Sequence, residues 1–165
     1  MVPWGMERIL VLYAGNHGHT RDILDQILDP DDKALTVEDL RGFDPSGLDD
    51  YDRVALGGSI RSRNLHPAAA RFAEEHKRTL LAKPLALFIT GLDKEMMKDQ
   101  LAAAFSETLL EHSSIAVCLG GELDLKRHNP FMRFVMRRMT GNPFERSWRN
   151  SKGILELQEF VHPKD

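Results

Sequence analysis

Ile9-Leu10-Val11-Leu12-Tyr13-Ala14-Gly15-Asn16-His17-Gly18-His19-Thr20 is the stretch on which the fold of this chain turns. Ile9 to Tyr13 is an unbroken apolar run of strand length, without the alternation of a half-exposed strand, and reads as a strand buried on both faces. From Thr20 to Leu28 the apolar residues Ile23, Leu24, Ile27 and Leu28 recur at helical spacing, so the turn between joins strand directly to helix. A turn of this kind aims several backbone N–H groups and the positive end of a helix dipole at one point. Gly15 and Gly18 permit close approach or a positive φ. Asn16 and Thr20 add polar side chains, so a phosphate fits here without a lysine. The same residues also read as a plain strand-to-helix turn capped by Thr20. Gly15 and Gly18 do not supply the Gly-x-Gly-x-x-Gly of dinucleotide sites, and no Gly-Lys-Ser/Thr of a triphosphate loop is present.

The pattern repeats downstream. Ala34–Val37, Arg53–Gly58, Leu85–Thr90 and Ile115–Gly121 read as four further strands. Pro67–Leu81 (with Pro67 suited to a first helical turn), Lys94–Glu111, Pro130–Met139 and Ile154–Val161 read as helices. Strands interleaved with helices predict an α/β fold with a parallel sheet covered on both faces. Such sheets take ligands just beyond the carboxyl ends of their strands, which directs attention to the loops after Tyr13, Gly58, Thr90 and Gly121. Asp29–Asp32 and Gly42–Asp52 read as polar loops, and the whole of 1–165 as one domain.

The 165 residues are 42% hydrophobic and 28% charged, an ordinary globular composition. Cys118 is the single cysteine, which excludes an internal disulfide and a cysteine-rich metal site. It falls within an apolar strand and reads as an inert buried thiol. His17 and His19 flank Gly18 without a further ligand nearby in sequence, so no metal is expected. The net charge of −3 is too near neutral to imply a nucleic-acid binder by bulk, and none is expected. Its distribution is uneven. From Asp124 to Lys152 eight Lys and Arg face only Asp124 and Glu145, a net +6 that leaves −9 on the remainder. An acidic body with one basic segment implies an anionic partner or surface. No leader or membrane-spanning run is visible, and a cytoplasmic location is expected.

Ile9–Tyr13 with a loop ending Gly18-His19-Thr20 resembles the phosphate loop of flavodoxins. Tyr51-Asp52-Arg53-Val54-Ala55-Leu56-Gly57-Gly58-Ser59-Ile60-Arg61, with His66 after it, is similar to the menaquinone-dependent protoporphyrinogen IX dehydrogenases, short FMN-binding members of that fold. Phe131-Met132-Arg133-Phe134-Val135-Met136-Arg137-Arg138-Met139-Thr140-Gly141 resembles their basic, Met-rich segment after the fifth strand. The likeness runs from about Arg8 to Gly141. It implies a doubly wound, flavodoxin-like sheet of five strands in the order 2-1-3-4-5, with FMN as cofactor. Flavodoxins place hydroxyl residues where Ala14 and Gly15 stand, so here the main chain and Thr20 carry the phosphate. The second and third loops also lack the aromatics that often sandwich the flavin ring.

The resemblance implies site residues. Gly15, Asn16, His17, Gly18, His19 and Thr20 hold the phosphate. Gly58, Ser59, Ile60, Arg61, Thr90 and Gly91 flank the ring, with Gly57-Gly58 allowing close approach to it. Arg61, with Arg63 beside it, faces a carboxylate-bearing substrate, since guanidinium pairs bidentately with carboxylate. His66 exchanges a proton during two-electron oxidation. The second loop also reads as a solvated basic loop with His66-Pro67 opening the next helix, and the third as a turn in which Asp93 caps a helix. The expected function is an FMN-dependent oxidoreductase taking electrons from a tetrapyrrole or other reduced substrate and passing them to a quinone. The alternatives are an electron-transfer protein without its own substrate and a flavin-free interaction module. In a helix, Phe131, Phe134, Val135 and Arg138 share one side, and the segment 126–149, extended by Phe144 and Trp148, suits peripheral contact with the inner face of the cell membrane. The same helix also reads as a cover for the core, with Phe144 and Trp148 packed on the body.

Overall fold

Strand β1 (Ile9–Ala14) is buried at all six positions, and its side chains divide between two apolar cores. Leu10, Leu12 and Ala14 enter one core; Ile9, Val11 and Tyr13 enter the other. This alternation is the period-two geometry of a strand with helices on both sides. The computed structural model describes residues 4–16, 18–123, 130–140 and 146–164.

After β1 come α1 (His19–Ile27), β2 (Leu35–Asp39), a 3-10 turn at Pro45–Asp50, β3 (Arg53–Arg61), β4 (Asn64–Leu65), α2 (Pro67–Glu75) and α3 (Lys77–Leu81). The second half runs β5 (Leu85–Thr90), α4 (Met97–Ala104), α5 (Glu107–His112), β6 (Ile115–Cys118), β7 (Gly120–Leu123), α6 (Pro130–Thr140), β8 (Arg146–Arg149) and α7 (Ser151–Val161). The main sheet has the order β2-β1-β3-β5-β6, all parallel, with β4 paired antiparallel to the end of β3. With β4 set aside, this is the expected 2-1-3-4-5 order. Helices α1 and α7 cover one face through Ile23, Leu24, Leu157, Phe160 and Val161. Helices α2 to α5 cover the other through Ala69, Phe72, Leu80, Leu101 and Leu109.

Several elements depart from the expected boundaries. The helix expected over Pro67–Leu81 divides at His76, whose φ of −111° and ψ of 18° leave the helical region. The helix expected over Lys94–Glu111 begins only at Met97 and divides at Phe105. Phe105 turns extended and is buried, and Ser106 caps the next helix. The fifth strand stops at Cys118. Gly120, with φ +115°, redirects the chain into β7, which pairs antiparallel with β8 as a separate ribbon. β8 has no counterpart in the expectations. The stretch after Gly58, expected as a loop, continues as strand to Arg61 and returns through β4 as a two-residue hairpin. Cys118 is buried, and burial pushes its thiol pKa up, as an inert thiol requires.

Candidate functional site

The parallel register brings the ends of β1, β3 and β5 together. Ala14 lies opposite Gly58, Gly58 opposite Ile89, and Ser59 opposite Thr90. The loops expected to hold a ligand therefore leave one edge of the sheet side by side.

In the first loop Gly15 is buried, and a Cβ there would lie 2.5 Å from Thr20 Oγ1, so only glycine lets the chain fold against that hydroxyl. Gly18 takes a left-handed φ of 76° and caps α1 with its backbone alone. Thr20 was expected as the cap. It lies instead inside the first turn, and its buried hydroxyl bonds that of Thr90 at 3.0 Å. The N–H groups of Thr20 and Arg21 have no acceptor within the helix, which is the usual state of a first turn. Asn16 is half-buried and His19 opens α1, whereas His17 lies outside the described residues. Arg21 turns towards the edge strand, pairing with Asp25 at 2.8 Å and lying 5.9 Å from the centre of the Tyr13 ring.

In the second loop the two glycines are used by the sheet itself. A Cβ on Gly57 would lie 2.3 Å from Phe88 O, and one on Gly58 2.8 Å from Ala14 O. Their bareness is thus already required by strand packing. Ser59 Oγ is buried and has no hydrogen-bond partner among the described residues. Leaving a hydroxyl so placed without a partner costs roughly 1–3 kcal/mol. Ile60 is half-buried beside Gly91. Arg61, Ser62, Arg63 and Asn64 are exposed, and Ser62 and Arg63 carry φ of 50° and 68°, the signature of a tight hairpin turn.

His66 sits where the hairpin meets α2. Its N–H donates to Ser59 O at 2.9 Å, and its Nδ1 accepts the Ala68 N–H at 3.2 Å as the cap of α2. A neutral ring accepting at Nδ1 carries its proton on Nε2. Burial holds the His66 pKa below its ordinary value, and the Arg41 guanidinium adds to this while the Asp39 carboxylate opposes it. Asp39 is itself held below the usual carboxylate range, chiefly by its side-chain bonds from Arg41, which grips it through Nε and Nη2. Asp39 and Arg41, beside His66, were not anticipated, because their proximity arises only when β2 docks on β1.

In the third loop Thr90 is buried against Thr20, and Gly91 is held at both polar atoms. The Gly91 N–H donates to Gly120 O at 2.9 Å, and Gly91 O accepts the Trp148 indole N–H at 2.8 Å. Asp93 accepts the Met96 N–H at 3.1 Å, so it closes the turn before α4 and does not cap the helix as expected, since α4 starts only at Met97. On α6, Phe131 and Phe134 are 73% and 59% exposed, and the Arg138 guanidinium lies 5.6 Å from the centre of the Phe134 ring. No described α6 residue is among those of either core. Lys126, Arg127 and Phe144 lie outside the described residues, as do the side chains of Arg137 and Met139. No described helix is long and apolar enough to cross a membrane.

Known proteins share this plan. A family model described as a flavodoxin domain matches residues 10–144. A Leishmania major protein named protoporphyrinogen IX dehydrogenase (quinone) is 28% identical over 140 residues, covering 79% of this chain and 61% of that protein. The chain thus spans about three-fifths of that relative's length. Among solved structures, a flavodoxin from the domain Archaea superposes with a TM-score of 0.52 at 15% identity, over 93% of each chain. A Lactobacillus acidophilus flavoprotein in complex with FMN gives 0.51 at 13% identity, over 68% of this chain and 92% of that one. At these identities the superpositions establish the fold. The family model extends from β1 through α6 and the loops that meet at the sheet edge, and the chain belongs to the flavodoxin-domain family.

Proposed function

We propose that this chain binds FMN where the three loops meet and acts as an oxidoreductase that passes electrons from a reduced substrate to a quinone. The observation that carries the reading is the buried Ser59 hydroxyl. It has no partner among the described residues and stands opposite the Thr20–Thr90 bridge, where a polar ligand would satisfy it. The residues present fit FMN. The N-terminus of α1 suits a phosphate, with Gly15, Asn16, Gly18, His19 and Thr20 around it. In the Thr20–Thr90 pair one hydroxyl donates to the other, which leaves the second proton for an anion. Ser59, Ile60 and Gly91 line the part of the edge suited to the ring. FMN, when bound, supplies a ring that accepts electrons in pairs or singly. The chain's own groups orient the substrate. Arg61 is exposed and matches a carboxylate, and His66 Nε2 holds a proton at the same rim. The name of the Leishmania relative points to a tetrapyrrole donor and a quinone acceptor.

Titrating the flavin-free protein into FMN and following loss of flavin fluorescence tests the reading. Saturable one-to-one quenching is expected, and its absence overturns it. Adding protoporphyrinogen and a menaquinone analogue to the loaded protein should yield oxidised porphyrin. Binding without that turnover favours an electron carrier, a second reading consistent with the −9 charge outside the basic segment. For the segment 126–149 we propose contact with an anionic membrane through α6, whose exposed Phe131 and Phe134 are interleaved with arginines. Sedimentation with phosphatidylglycerol vesicles, lost in F131S/F134S and weakened by salt, is the expected result. Equal sedimentation of both proteins would remove that contact from the proposal.

A further inference from the structure

Most of the constrained glycines near the site are explained by the fold alone. A Cβ on Gly57, Gly58, Gly120 or Gly121 would come within 2.3, 2.8, 2.2 and 2.1 Å of backbone oxygens. Gly91 is different. A Cβ there would make ordinary contacts, 3.5 Å from Gln100 Oε1 and 3.6 Å from Ile60 Cβ, and its φ is not positive. Packing does not demand glycine at this position, yet both of its backbone polar atoms are bonded. Gly120 O takes its N–H, the Trp148 indole binds its carbonyl, and the Cβ-less Gly121 leaves room for that carbonyl.

Trp148 reaches Gly91 from β8, 57 residues along the chain. The ribbon that carries it is itself tied down. Arg149 pairs with Glu122 at 3.2 Å across β7 and β8, and Asn150 bonds Cys118 O at 2.8 Å through Nδ2 and Leu119 O at 3.1 Å through its N–H. Trp148 also packs against the core covered by α2 to α5. An N–H donor fixed at both ends by packing does not follow a mobile carbonyl; it sets where that carbonyl stands.

We infer that Trp148 is a positioning residue. With Gly120 it clamps both polar atoms of Gly91, so that the third loop offers the ligand a bare peptide of fixed orientation. The inference rests on the flavin reading and adds to it a residue from outside the three loops. It assigns Trp148 a role that acts through Gly91, without contact to the ligand.

The test compares W148F with the wild type. Phenylalanine keeps an aromatic packing surface and removes the donor. Three quantities are read: FMN affinity, the midpoint potential of the bound flavin, and amide hydrogen exchange at Gly91 without FMN. The expected result is a dissociation constant raised about five- to tenfold, the loss of one hydrogen bond. A shifted potential and faster exchange at Gly91 should accompany it, with thermal unfolding of the flavin-free protein within a few degrees of wild type. G91A is the second variant: its flavin-free fold should persist and its FMN affinity should fall. Wild-type affinity and potential in W148F overturn the clamp while leaving the flavin reading intact. Failure of the wild type to bind FMN overturns the flavin reading. The clamp is then judged on exchange, and unchanged protection of Gly91 in W148F overturns it as well.

Discussion

The two flanks of the proposed ring site are built in opposite ways. On the third-loop side each polar group that has been described has a protein partner. The Thr90 hydroxyl meets Thr20, the Gly91 N–H meets Gly120, and the Gly91 carbonyl meets Trp148. On the second-loop side the Ser59 hydroxyl has none among the described residues, Arg61 to Asn64 lie in solvent, and two residues with side chains hold left-handed φ. A flank whose Gly91 is bonded at both backbone polar atoms is a fixed reference surface. A flank with spare donors and exposed cations can answer a ligand. On the proposed reading the difference separates holding the cofactor from meeting the substrate, and it is open to attack from either side.

The hardest blow to the fixed flank is G121A. The added methyl would sit 2.1 Å from Gly91 O and 2.4 Å from its carbonyl carbon, and neither is the end of a flexible side chain. Forcing atoms into such a space costs about 3 kcal/mol, or roughly 10 °C in Tm for a chain of this size. Calorimetry checks it, and a Tm within 2 °C or so of wild type would show that the flank yields. Next in size is the hydroxyl bridge. T20V leaves the buried Thr90 hydroxyl without its partner, at a cost of roughly 2 kcal/mol in urea unfolding. T20V/T90V removes both polar groups and should regain most of that stability. FMN affinity should be low in T20V/T90V, where no hydroxyl proton is left for the ligand. If the double variant binds as the wild type does, the bridge serves the fold alone.

The sequence disclosed the parts of the site that local chemistry builds. Ile9–Tyr13 followed at once by helical spacing required a strand-to-helix turn, and Gly15 and Gly18 marked its tight points. His66-Pro67 marked the start of α2, because proline fits the first turn. What could not be read was long-range pairing. Nothing near Thr20 announces that its hydroxyl will meet one seventy residues away. Trp148 lies in Arg146–Arg149, a four-residue strand with two charges and no apolar alternation, so its place on Gly91 follows only from the β7–β8 pairing. The division at Phe105 was half visible. Ser106 is a good helix cap, but the pull of the core that turns Phe105 extended is a tertiary effect.

The open flank can be sharpened by relaxing it. A side chain in the left-handed region costs roughly 1–2 kcal/mol, and Asn-Gly is the pair such a turn prefers. S62N/R63G should therefore raise stability by about 1 kcal/mol, after allowance for the greater freedom of unfolded glycine. Urea unfolding reads this directly. Glycine gained in the hairpin should stabilise, while glycine lost at position 121 destabilises. Unchanged stability in S62N/R63G would mean that the hairpin holds no strain.

The smallest effect is a pH dependence at the junction of the open flank with α2. His66 caps that helix by accepting at Nδ1, which only the deprotonated nitrogen can do. Its pKa is lowered in the fold from the ordinary 6.5 by burial and by Arg41, against Asp39. The unfolded chain therefore binds the proton more tightly than the folded one. The stability linked to this group is fully present above about pH 6.5 and is lost as the pH falls towards the lowered folded value. Asp39 and Arg41, the charged groups facing the ring, keep their charges across this range, since Asp39 titrates below the usual carboxylate range. In H66N the amide caps the helix and does not titrate. Unfolding midpoints at pH 7.5 and pH 5.0 should show the wild type losing up to about 1 kcal/mol more than H66N, the size of one cap. Parallel losses in the two proteins would place the pH sensitivity elsewhere and leave His66 a cap in neither protonation state. A greater loss in H66N would reverse the sign, and with it the assignment of Nδ1 as the acceptor.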